Sequence, residues 1–383
     1  MRTIALSGTT GFLGCHLLAR LLQQDCCVVA LVRDAPARAA ARIERALAFA
    51  GGGPENGSPV GGRVRIVQAD LGAARLGLFG EVFDGLADEV DEVWHCAAST
   101  HLEADLATVS AVNVEGTRHM LELAAAGRRR PRFVHISTAY VAGGRTDCTV
   151  AEDDLDGSFG FMTPYEESKY QAELLVRAWA RDGRRALVLR PSTLVTDKPL
   201  LPRGPRHPHS VLGLRLGRLA SWGPDFLTRR FGVRPDGDGV FRVRLPGRPG
   251  STTNIASVEY ATDAVMRLTR DDDPAPGVVT RHVTHPVDTP ASVWLEAMRS
   301  LVPWVEPVVV EGDVDATTLE SFIVSLQPGG RRYGHLRRSY ERGALDTAEA
   351  RDGVSAPAAL DVPYLVRTLN VPGNRRTSTL ASA

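Results

Sequence analysis

The feature that most constrains the fold stands near the start of the sequence, where three glycines separate a short apolar run from a helical pattern. The segment "ALSGTTGFLGCHLL" has the spacing G-x-x-G-x-x-G. Between a strand and a helix, such glycines let the backbone approach a pyrophosphate, and the helix N-terminus offers free amide donors. The sequence therefore predicts a dinucleotide site at this turn. The residues expected to line it are Gly8, Thr10, Gly11, Phe12, Leu13 and Gly14.

Short β-rich runs alternate with helical patterns through the first half of the chain, as expected for a parallel sheet with crossover helices. The six candidate strands are "TIALSG", "CVVALVR", "RVRIVQAD", "DEVWHCAA", "RFVHIST" and "RALVLRP". After Pro191 the alternation fades, and prolines, glycines and arginines become frequent. We therefore predict an α/β protein, with a Rossmann-type doubly wound parallel sheet and a smaller C-terminal substrate-binding region.

Charge and cysteine content narrow the range of functions. The 383-residue chain balances 45 basic residues against 45 acidic ones, which gives no reason to expect binding to nucleic acid or to a membrane surface. The five cysteines are an odd set without CxxC spacing, so neither a disulfide framework nor a metal site is expected. The first apolar run, Ile4 to Leu6, is far too short for a signal h-region, and no stretch approaches the length of a membrane span. These features predict a soluble, cytoplasmic protein.

The end of the second strand, "LVRD", indicates which dinucleotide is bound. A carboxylate at this point usually meets free ribose hydroxyls, whereas a 2′-phosphate requires a cation. Arg33 comes first and Asp34 second, and a guanidinium fork suits a phosphate, with further arginines in the next helix. We favour NADP(H). NAD(H) is the alternative, with Asp34 turned inward onto the ribose.

Three later strand ends supply further candidate cofactor contacts at the same carboxyl edge. The end of the third strand is expected near the adenine, and the small side chains of "CAAS" after the fourth strand leave room for the dinucleotide. The segment "PSTLV" after the sixth strand is expected to cover the nicotinamide. The residues concerned are Asp70, Leu71, Ala97, Pro191, Ser192 and Leu194.

A phenol and an ammonium stand four residues apart in "TPYEESKYQAE". Tyr165 and Lys169 therefore share one face of a helix. A free phenol has a pKa of about 10, and a neighbouring ammonium favours the phenolate, so we expect Lys169 to lower the pKa of Tyr165 toward neutrality. The fifth strand ends in "HISTAYV", which delivers the hydroxyls of Ser137 and Thr138 to the same edge.

Together these segments resemble the short-chain dehydrogenase/reductase superfamily in its extended form. The resemblance rests on "SGTTGFLG", "NVEGT", "HISTAYV", "YEESK" and "LRPS", in that order over about the first 200 residues. It implies that Thr138, Tyr165 and Lys169 form a catalytic trio, with Lys169 also binding the nicotinamide ribose. It further implies a part for Asn113 in a water-linked proton relay, and leaves Ser137 as the rival hydroxyl.

Within the superfamily, "GTTGFLGCHLLARLL", "LVRD" and "HISTAYV" are most similar to the thioester reductase and fatty acyl-CoA reductase branch. That branch implies reduction of an acyl thioester, or of the derived aldehyde or ketone, with NADPH and with Tyr165 as the acid. It also implies an acyl-carrier protein as a partner, and analogy with the fold suggests a homodimer. The alternatives are an epimerase or dehydratase, a hydroxysteroid-type dehydrogenase, and a non-catalytic dinucleotide-sensing protein.

The expected domain division follows from this reading. Residues 1–195 form the NADP(H)-binding Rossmann domain that carries the catalytic residues. Residues 196–371 form mostly the substrate-binding region, with some segments returning to the Rossmann domain, and 372–383 form a disordered tail.

Overall fold

The computed structural model describes the chain in six stretches. These are residues 1–52, 62–199, 204–271, 275–312, 314–326 and 330–369. The expected tail at 372–383 lies outside them. Among the described residues, none of the helices combines the length and the apolar character needed to cross a bilayer. All five cysteines are free thiols.

Strands and helices are numbered along the described chain. The strands are β1 (Arg2–Ser7), β2 (Cys26–Val32), β3 (Val64–Gln68), β4 (Glu92–His95), β5 (Arg132–Ile136), β6 (Cys148–Val150), β7 (Arg185–Pro191), β8 (Thr193–Val195), β9 (Phe241–Pro246), β10 (Thr252–Thr253), β11 (Ile255–Ser257), β12 (Gly277–Val283), β13 (Thr289–Pro290), β14 (Val305–Val310) and β15 (Arg338–Tyr340). The helices are α1 (Phe12–Leu21), α2 (Pro36–Phe49), α3 (Gly80–Glu89), α4 (Leu106–Asn113), α5 (Glu115–Ala126), α6 (Pro164–Ala180), α7 (Pro208–Phe231), α8 (Val258–Asp271), α9 (Ala291–Leu301), α10 (Thr318–Ser325), α11 (Gly330–Tyr333), α12 (Gly343–Arg351) and α13 (Val362–Leu369).

A seven-stranded parallel sheet organises the molecule, in the order β12-β7-β5-β4-β1-β2-β3. The chain runs outward from β1 to β3 and then returns to β4 on the other side of β1. This reversal makes the carboxyl ends of β1 and β4 the switch point at which doubly wound folds bind their ligands. The Rossmann-type fold predicted from the sequence is confirmed.

All six predicted strands lie in this sheet, and the seventh was not predicted. Strand β12 pairs with β7 over seven residues, from Gly277 opposite Arg185 to Val283 opposite Pro191. It carries Thr280, Arg281 and His282, and it forms the outer edge of the sheet, so it lacks the apolar run of a central strand. The domain division at residue 195 stays a prediction.

Side chains that alternate along the strands build a core on each face of the sheet. Ile4 and Leu6 of β1 pack on one face with α1 and α8, whereas Ala5 packs on the other with α3, α5 and α6. Burying a leucine or isoleucine completely contributes about 1.5–3 kcal/mol. A separate apolar cluster joins α7, α9, α10, α13 and the paired strands β9 and β14. The helices on the two faces of the seven-stranded sheet hold in place the carboxyl edge on which the candidate site lies.

Candidate functional site

The glycine turn is held tightly against the end of β4. Gly8 has a φ of 81°, and a Cβ there would lie 2.7 Å from the backbone nitrogen of Ala97. A Cβ at Gly14 would overlap the carbonyl oxygen of Gly8. The Ser7 hydroxyl accepts a hydrogen bond from the Ala97 amide at 3.2 Å. Only glycine fits at positions 8 and 14, and the strand ends β1 and β4 are fixed side by side.

Helix α1 begins directly after this turn, with Gly11 as its N-cap. No side chain among the described residues caps it, and its first turn contains no acidic residue. The amide groups of Phe12 and Leu13, in the first turn of α1, therefore face the turn without a competing carboxylate, which suits a pyrophosphate. The residues present fit the dinucleotide that the sequence predicted.

An arginine of α2 contacts the glycine turn. Arg42 forms an ion pair with Asp34 and donates a hydrogen bond to the Thr10 hydroxyl at 3.3 Å. Arg33 is exposed at the end of β2, next to Asp34. The one carboxylate available for ribose hydroxyls at this strand end is therefore already paired with a guanidinium. Arg42 is one of the arginines that the sequence placed in the helix after β2, and the contact with Thr10 distinguishes it from the others.

The predicted adenine contacts lie beyond β3. The Asp70 carboxylate accepts a hydrogen bond from the Gly72 amide at 2.9 Å and closes the turn there. Leu71 packs beside Gly116 of α5, and its carbonyl accepts from the His119 ring at 2.8 Å. Both residues are placed at the edge of the crevice by local contacts, and their part in adenine binding stays a prediction.

The segment after β7 follows the far side of the crevice. The amide of Ser192 donates to the carbonyl of Val283 at 3.3 Å, directly after Pro191. Leu194 lies in β8, opposite Ala256 of β11. The Ser192 hydroxyl is buried and has no hydrogen-bond partner among the described residues. The part of this segment in covering the nicotinamide stays a prediction.

The phenol of Tyr165 and the hydroxyl of Thr138 meet at the carboxyl edge. Thr138 has an extended backbone and caps a short turn, Ala139–Ala142, by accepting from the Tyr140 amide at 3.3 Å. Tyr165 is half-buried in the first turn of α6, next to Pro164, and hydrogen-bonds to Thr138. The structure thus brings two of the three predicted catalytic side chains into direct contact.

Lys169 lies one turn further along α6 and is almost fully buried. Its ammonium donates to the carbonyl of Ile136 at 2.7 Å and lies 3.4 Å from Nε2 of His135. Burial lowers the pKa of Lys169 to about 8, although the nearby Glu173 carboxylate opposes this. Lys169 is therefore a cation that titrates close to the physiological range.

The predicted effect of Lys169 on the phenol is wrong. Burial raises the pKa of Tyr165 above its ordinary value, and the hydrogen bond with Thr138 opposes this only in part. The Lys169 ammonium is directed at Ile136 and His135 instead of the phenol. Burial disfavours the charged phenolate, and the Lys169 ammonium, which is directed at other acceptors, does not offset this. Tyr165 consequently stays protonated at neutral pH, which is the state that a proton donor needs.

Asn113, at the end of α4, ties three elements together. Its side-chain carbonyl accepts from the Ser99 amide at 2.7 Å, and its amide nitrogen donates to the Ser99 carbonyl at 3.0 Å and to the Ser168 hydroxyl at 2.8 Å. Ser168 in turn donates to the carbonyl of Tyr165 at 2.7 Å. Asn113 therefore braces the turn that carries the phenol, and its part in a proton relay stays a prediction.

The sequence reading missed a buried ion pair next to the trio. Arg190 of β7 donates to both carboxylate oxygens of Glu173, at 3.0 and 2.7 Å, and both side chains are fully buried. Ser137 donates to the same carboxylate. Ser137 is thus committed to Glu173, whereas Thr138 faces the phenol. The available signal was an arginine within the apolar strand "RALVLRP" and a glutamate four residues after Lys169.

An aromatic wall completes this side of the crevice. The Tyr140 and Thr193 hydroxyls are hydrogen-bonded at 2.8 Å, and the Tyr140 ring lies 4.9 Å from the Tyr333 ring, centroid to centroid. Tyr333 comes from a segment about 170 residues after the catalytic helix, and no sequence pattern connects the two. Among the described residues, no group of three or more histidine, cysteine or acidic side chains is arranged to hold a metal ion.

Comparison with known proteins agrees with this geometry. Residues 6–213, more than half of the chain, match the family model described as male sterility protein, an NAD-binding family. The chain is 30% identical over 302 residues to the L-2-aminoadipate reductase large subunit of Penicillium chrysogenum, covering 74% of this chain and 19% of that protein. The chain thus spans about a fifth of that relative's length.

Two solved structures share the fold over nearly the whole chain. The terminal R domain from the myxalamid PKS-NRPS biosynthetic pathway superimposes with a TM-score of 0.71 at 25% identity, covering 96% of this chain and 90% of that one. A thiolation-reductase di-domain from an archaeal non-ribosomal peptide synthetase gives a TM-score of 0.66 at 17% identity, covering 97% and 75%. The chain belongs to the male sterility protein family, in the thioester reductase branch of the extended short-chain dehydrogenase/reductase superfamily of NAD(P)H-dependent oxidoreductases.

Proposed function

We propose that the chain is an NADPH-dependent reductase that converts an acyl thioester into an aldehyde. The observation that carries the proposal is the placement of Thr138, Tyr165 and Lys169 at the carboxyl edge of the sheet, beside the glycine turn at the switch point. Family membership and the reductase names of the relatives support it. The aldehyde and ketone reductions expected from the sequence use the same residues.

Reduced nicotinamide would supply a hydride to the carbonyl carbon of the substrate. Tyr165 donates a proton to the carbonyl oxygen, and Thr138 stabilises the developing negative charge by its hydrogen bond. The product of this step is a hemithioacetal. The C–S bond of the hemithioacetal then breaks, its hydroxyl proton passes to the departing sulfur, and the aldehyde remains. One thioester, one NADPH and one proton, which Tyr165 delivers and regains from water, therefore yield one aldehyde, one thiol and one NADP⁺.

Lys169 binds and orients in this scheme. Two of its three N–H donors are directed at Ile136 and His135, and the third is left for the nicotinamide ribose. Because burial raises the pKa of Tyr165 and lowers that of Lys169 to about 8, the phenol stays protonated while Lys169 loses its charge. We expect kcat/KM to fall as the pH rises through about 8, since that profile reports groups of the free enzyme.

NADP(H) is the proposed cofactor. The pairing of Asp34 with Arg42 removes the carboxylate that would favour NAD(H), and it brings a guanidinium to Thr10 on the glycine turn. Arg33 adds a second, exposed cation at the end of β2. Guanidinium groups bind phosphate through paired donors, so this corner suits a 2′-phosphate.

The proposed substrate is carried on a thiol arm, with an acyl-carrier protein as the partner that presents it. The support is the fold shared with a thiolation-reductase di-domain and with the terminal R domain of a PKS-NRPS pathway. A thioester held in this way would reach the phenol past the wall formed by Tyr140 and Tyr333. The homodimer expected from analogy stays a prediction.

The test combines a substrate panel with one variant. The purified protein is incubated with NADPH and acyl thioesters, aldehydes or ketones, and NADPH oxidation, free thiol and aldehyde are measured. We expect equal amounts of thiol and aldehyde per NADPH consumed. Tyr165→Phe should lower kcat by about 10²–10³ or more, because it removes a donor used in the transition state, and should leave the Kd for NADPH unchanged.

Tyr170→Phe is the matched control, since Tyr170 lies on the same helix and contacts Phe161. It should retain full activity. If Tyr165→Phe kept more than a few per cent of the activity, the phenol would not be the acid. If thioesters were inert while NADPH bound, a dinucleotide-sensing role would be favoured, and conversion of a sugar nucleotide without net NADPH consumption would favour an epimerase or dehydratase.

A further inference from the structure

The buried ammonium of Lys169 has two protein acceptors, and both come from adjacent residues of β5. The carbonyl of Ile136 lies 2.7 Å from Nζ, and Nε2 of His135 lies 3.4 Å from it. Both acceptors belong to β5: one is a backbone carbonyl, and the other is the side-chain nitrogen of the preceding residue. A lysine ammonium has three N–H bonds, and these two acceptors direct the remaining bond.

The second acceptor, His135, is a buried histidine. Its ring is fully buried, stacks on Phe133 and lies 5.6 Å from the His95 ring. Burial, with the neighbouring Lys169 and His95, holds the pKa of His135 well below its usual value, so the imidazole is neutral. Because Nε2 accepts from Lys169, the proton of this neutral ring is on Nδ1.

That proton has no acceptor among the described residues. Leaving a buried donor unpaired is unfavourable, and each such group in a native protein calls for an explanation. The neighbouring His95 shows the usual arrangement: it is equally buried, and its two ring nitrogens lie 2.8 Å from the Ser7 hydroxyl and 3.1 Å from the Thr117 hydroxyl. Two adjacent histidines on paired strands thus differ in whether their hydrogen bonds are completed.

We propose that His135 is a positioning residue for Lys169: its neutral imidazole accepts one N–H bond of the ammonium, keeps that ammonium charged, and turns the third N–H bond toward the dinucleotide ribose. This inference rests on the proposed reductase function only in naming what the third bond meets. The unpaired Nδ1 is then the structural cost of presenting Nε2 to Lys169.

Several other titratable groups surround Lys169. The Glu173 carboxylate lies one turn further along α6 and favours the charged ammonium, but it is held by Arg190 and Ser137. Cys96 follows β4, and burial raises the pKa of its thiol to about 12, so it stays neutral across the relevant range. Burial lowers the pKa of His95 to about 3, so it is neutral as well. Tyr165 stays protonated because burial raises its pKa.

Two substitutions separate the acceptor from the shape of the side chain. His135→Leu keeps a similar volume but has no acceptor, whereas His135→Gln offers a carbonyl oxygen at about the position of Nε2. Lys169→Met is the reference without the ammonium. The readout is the Kd for NADPH between about pH 7 and pH 10, measured by fluorescence titration without any substrate. Thermal unfolding of each variant is measured alongside.

For the wild type, the Kd for NADPH should rise as the pH passes about 8, and Lys169→Met should abolish this dependence. In His135→Leu the midpoint of this pH dependence should fall by about one pH unit, since the variant loses a hydrogen bond that favours the charged ammonium of Lys169. His135→Gln should restore most of the wild-type midpoint. The melting temperature of His135→Leu should stay within a few degrees of the wild type, because the variant also removes the unpaired Nδ1.

Unchanged midpoints in both variants would overturn the proposal, and so would a His135→Leu variant that melts much earlier and binds NADPH more weakly by the same factor at every pH. The latter result is what a purely structural histidine predicts. Because no substrate is present, these outcomes do not depend on whether the protein reduces thioesters. If the protein reduces thioesters but the midpoints do not shift, the role of His135 is refuted and the proposed function is not.

Discussion

Two buried polar clusters lie one helical turn apart on α6, and they are built in opposite ways. The first contains Thr138, Tyr165, Lys169 and His135, and we call it the catalytic cluster because the proposed function places the reaction there. The second, the bracing cluster, contains Glu173, Arg190 and Ser137. Both join α6 to the carboxyl ends of parallel strands, and all of their side chains are buried except that of Tyr165, which is half-buried.

The clusters differ in how completely their hydrogen bonds are made. In the bracing cluster both Glu173 oxygens accept from Arg190, one also accepts from Ser137, and another Arg190 nitrogen donates to the carbonyl of Glu152 at 3.2 Å. In the catalytic cluster His135 has an unpaired nitrogen and Lys169 has a donor left over. Completed pairing holds the sheet edge together, whereas incomplete pairing leaves donors with which a ligand can form hydrogen bonds.

Removing one partner of the Glu173–Arg190 ion pair in the bracing cluster gives the largest expected effect on stability. Glu173→Gln leaves the Arg190 guanidinium buried without a counter-charge, which typically costs about 3–5 kcal/mol. The free energy of unfolding, measured in urea, should fall by that amount. The midpoint of the pH dependence of NADPH binding should fall, because the Glu173 carboxylate favours the charged ammonium, but NADPH should still bind at pH 7, because Lys169 retains both acceptors on β5.

Asp84→Asn is the control for this change, since it removes a carboxylate from an exposed pair with Arg75. Exposed pairs contribute little to stability, so the unfolding midpoint should scarcely move. If Glu173→Gln were as harmless as Asp84→Asn, the bracing cluster would not stabilise the fold. If it abolished NADPH binding without any loss of stability, the separation of the two clusters would be wrong.

Adjacent hydroxyls provide a sharper comparison, because Ser137 belongs to the bracing cluster and Thr138 to the catalytic one. Ser137→Ala removes a hydrogen bond to a charged group and should lower the free energy of unfolding by about 1.5–3 kcal/mol with kcat nearly unchanged. Thr138→Val keeps its shape but loses the oxyanion contact, so kcat should fall by about 10²-fold while stability changes little.

Urea unfolding and single-turnover kinetics on both variants measure the two effects. The two single variants serve as controls for each other, since their Cα atoms are neighbours and their side chains point to different partners. The reverse pattern, with Ser137→Ala inactive and Thr138→Val fully active, would assign the catalytic hydroxyl to Ser137 and contradict the contact between Thr138 and Tyr165.

The sequence predicted the parallel sheet and the site elements that depend on local pattern. Glycines at 8, 11 and 14, strand ends, and the spacing of Tyr165 and Lys169 are written within short segments, so six strands and the positions of the trio could be read directly. The direction in which the pKa of Tyr165 shifts could not, because it depends on how deeply the phenol is buried and on which acceptors Lys169 finds on β5. The spacing of two residues along a helix gives neither the depth of burial of the phenol nor the acceptors of Lys169.

Contacts between distant segments were also beyond the sequence pattern. Tyr333 packs on Tyr140, and β12 extends the sheet, although both come from the part of the chain with weak periodicity. Arg190 and Glu173 are each ordinary charged residues until the fold places them together. The candidate site was therefore predicted in its components and not in its electrostatics.

A third carboxylate and guanidinium pair tests whether burial decides the difference between the clusters. Asp34 and Arg42 pair at the same sheet edge, but Arg42 is 47% exposed. Arg42→Gln should consequently leave the unfolding midpoint nearly unchanged. It should instead raise the KM for NADPH by about tenfold, since one charge-assisted contact to the 2′-phosphate corresponds to about 1.5 kcal/mol. The KM for NADH should stay the same or fall, because Asp34 becomes free to accept from the ribose hydroxyls.

Arg129→Gln, which removes a guanidinium paired with Asp91 away from the glycine turn, is the control and should change neither constant. An equal rise in both KM values would mean that Arg42 supports the glycine turn through Thr10 and does not select the cofactor, whereas a loss of stability comparable to that of Glu173→Gln would mean that pairing, and not burial, separates the bracing cluster from the rest of the edge.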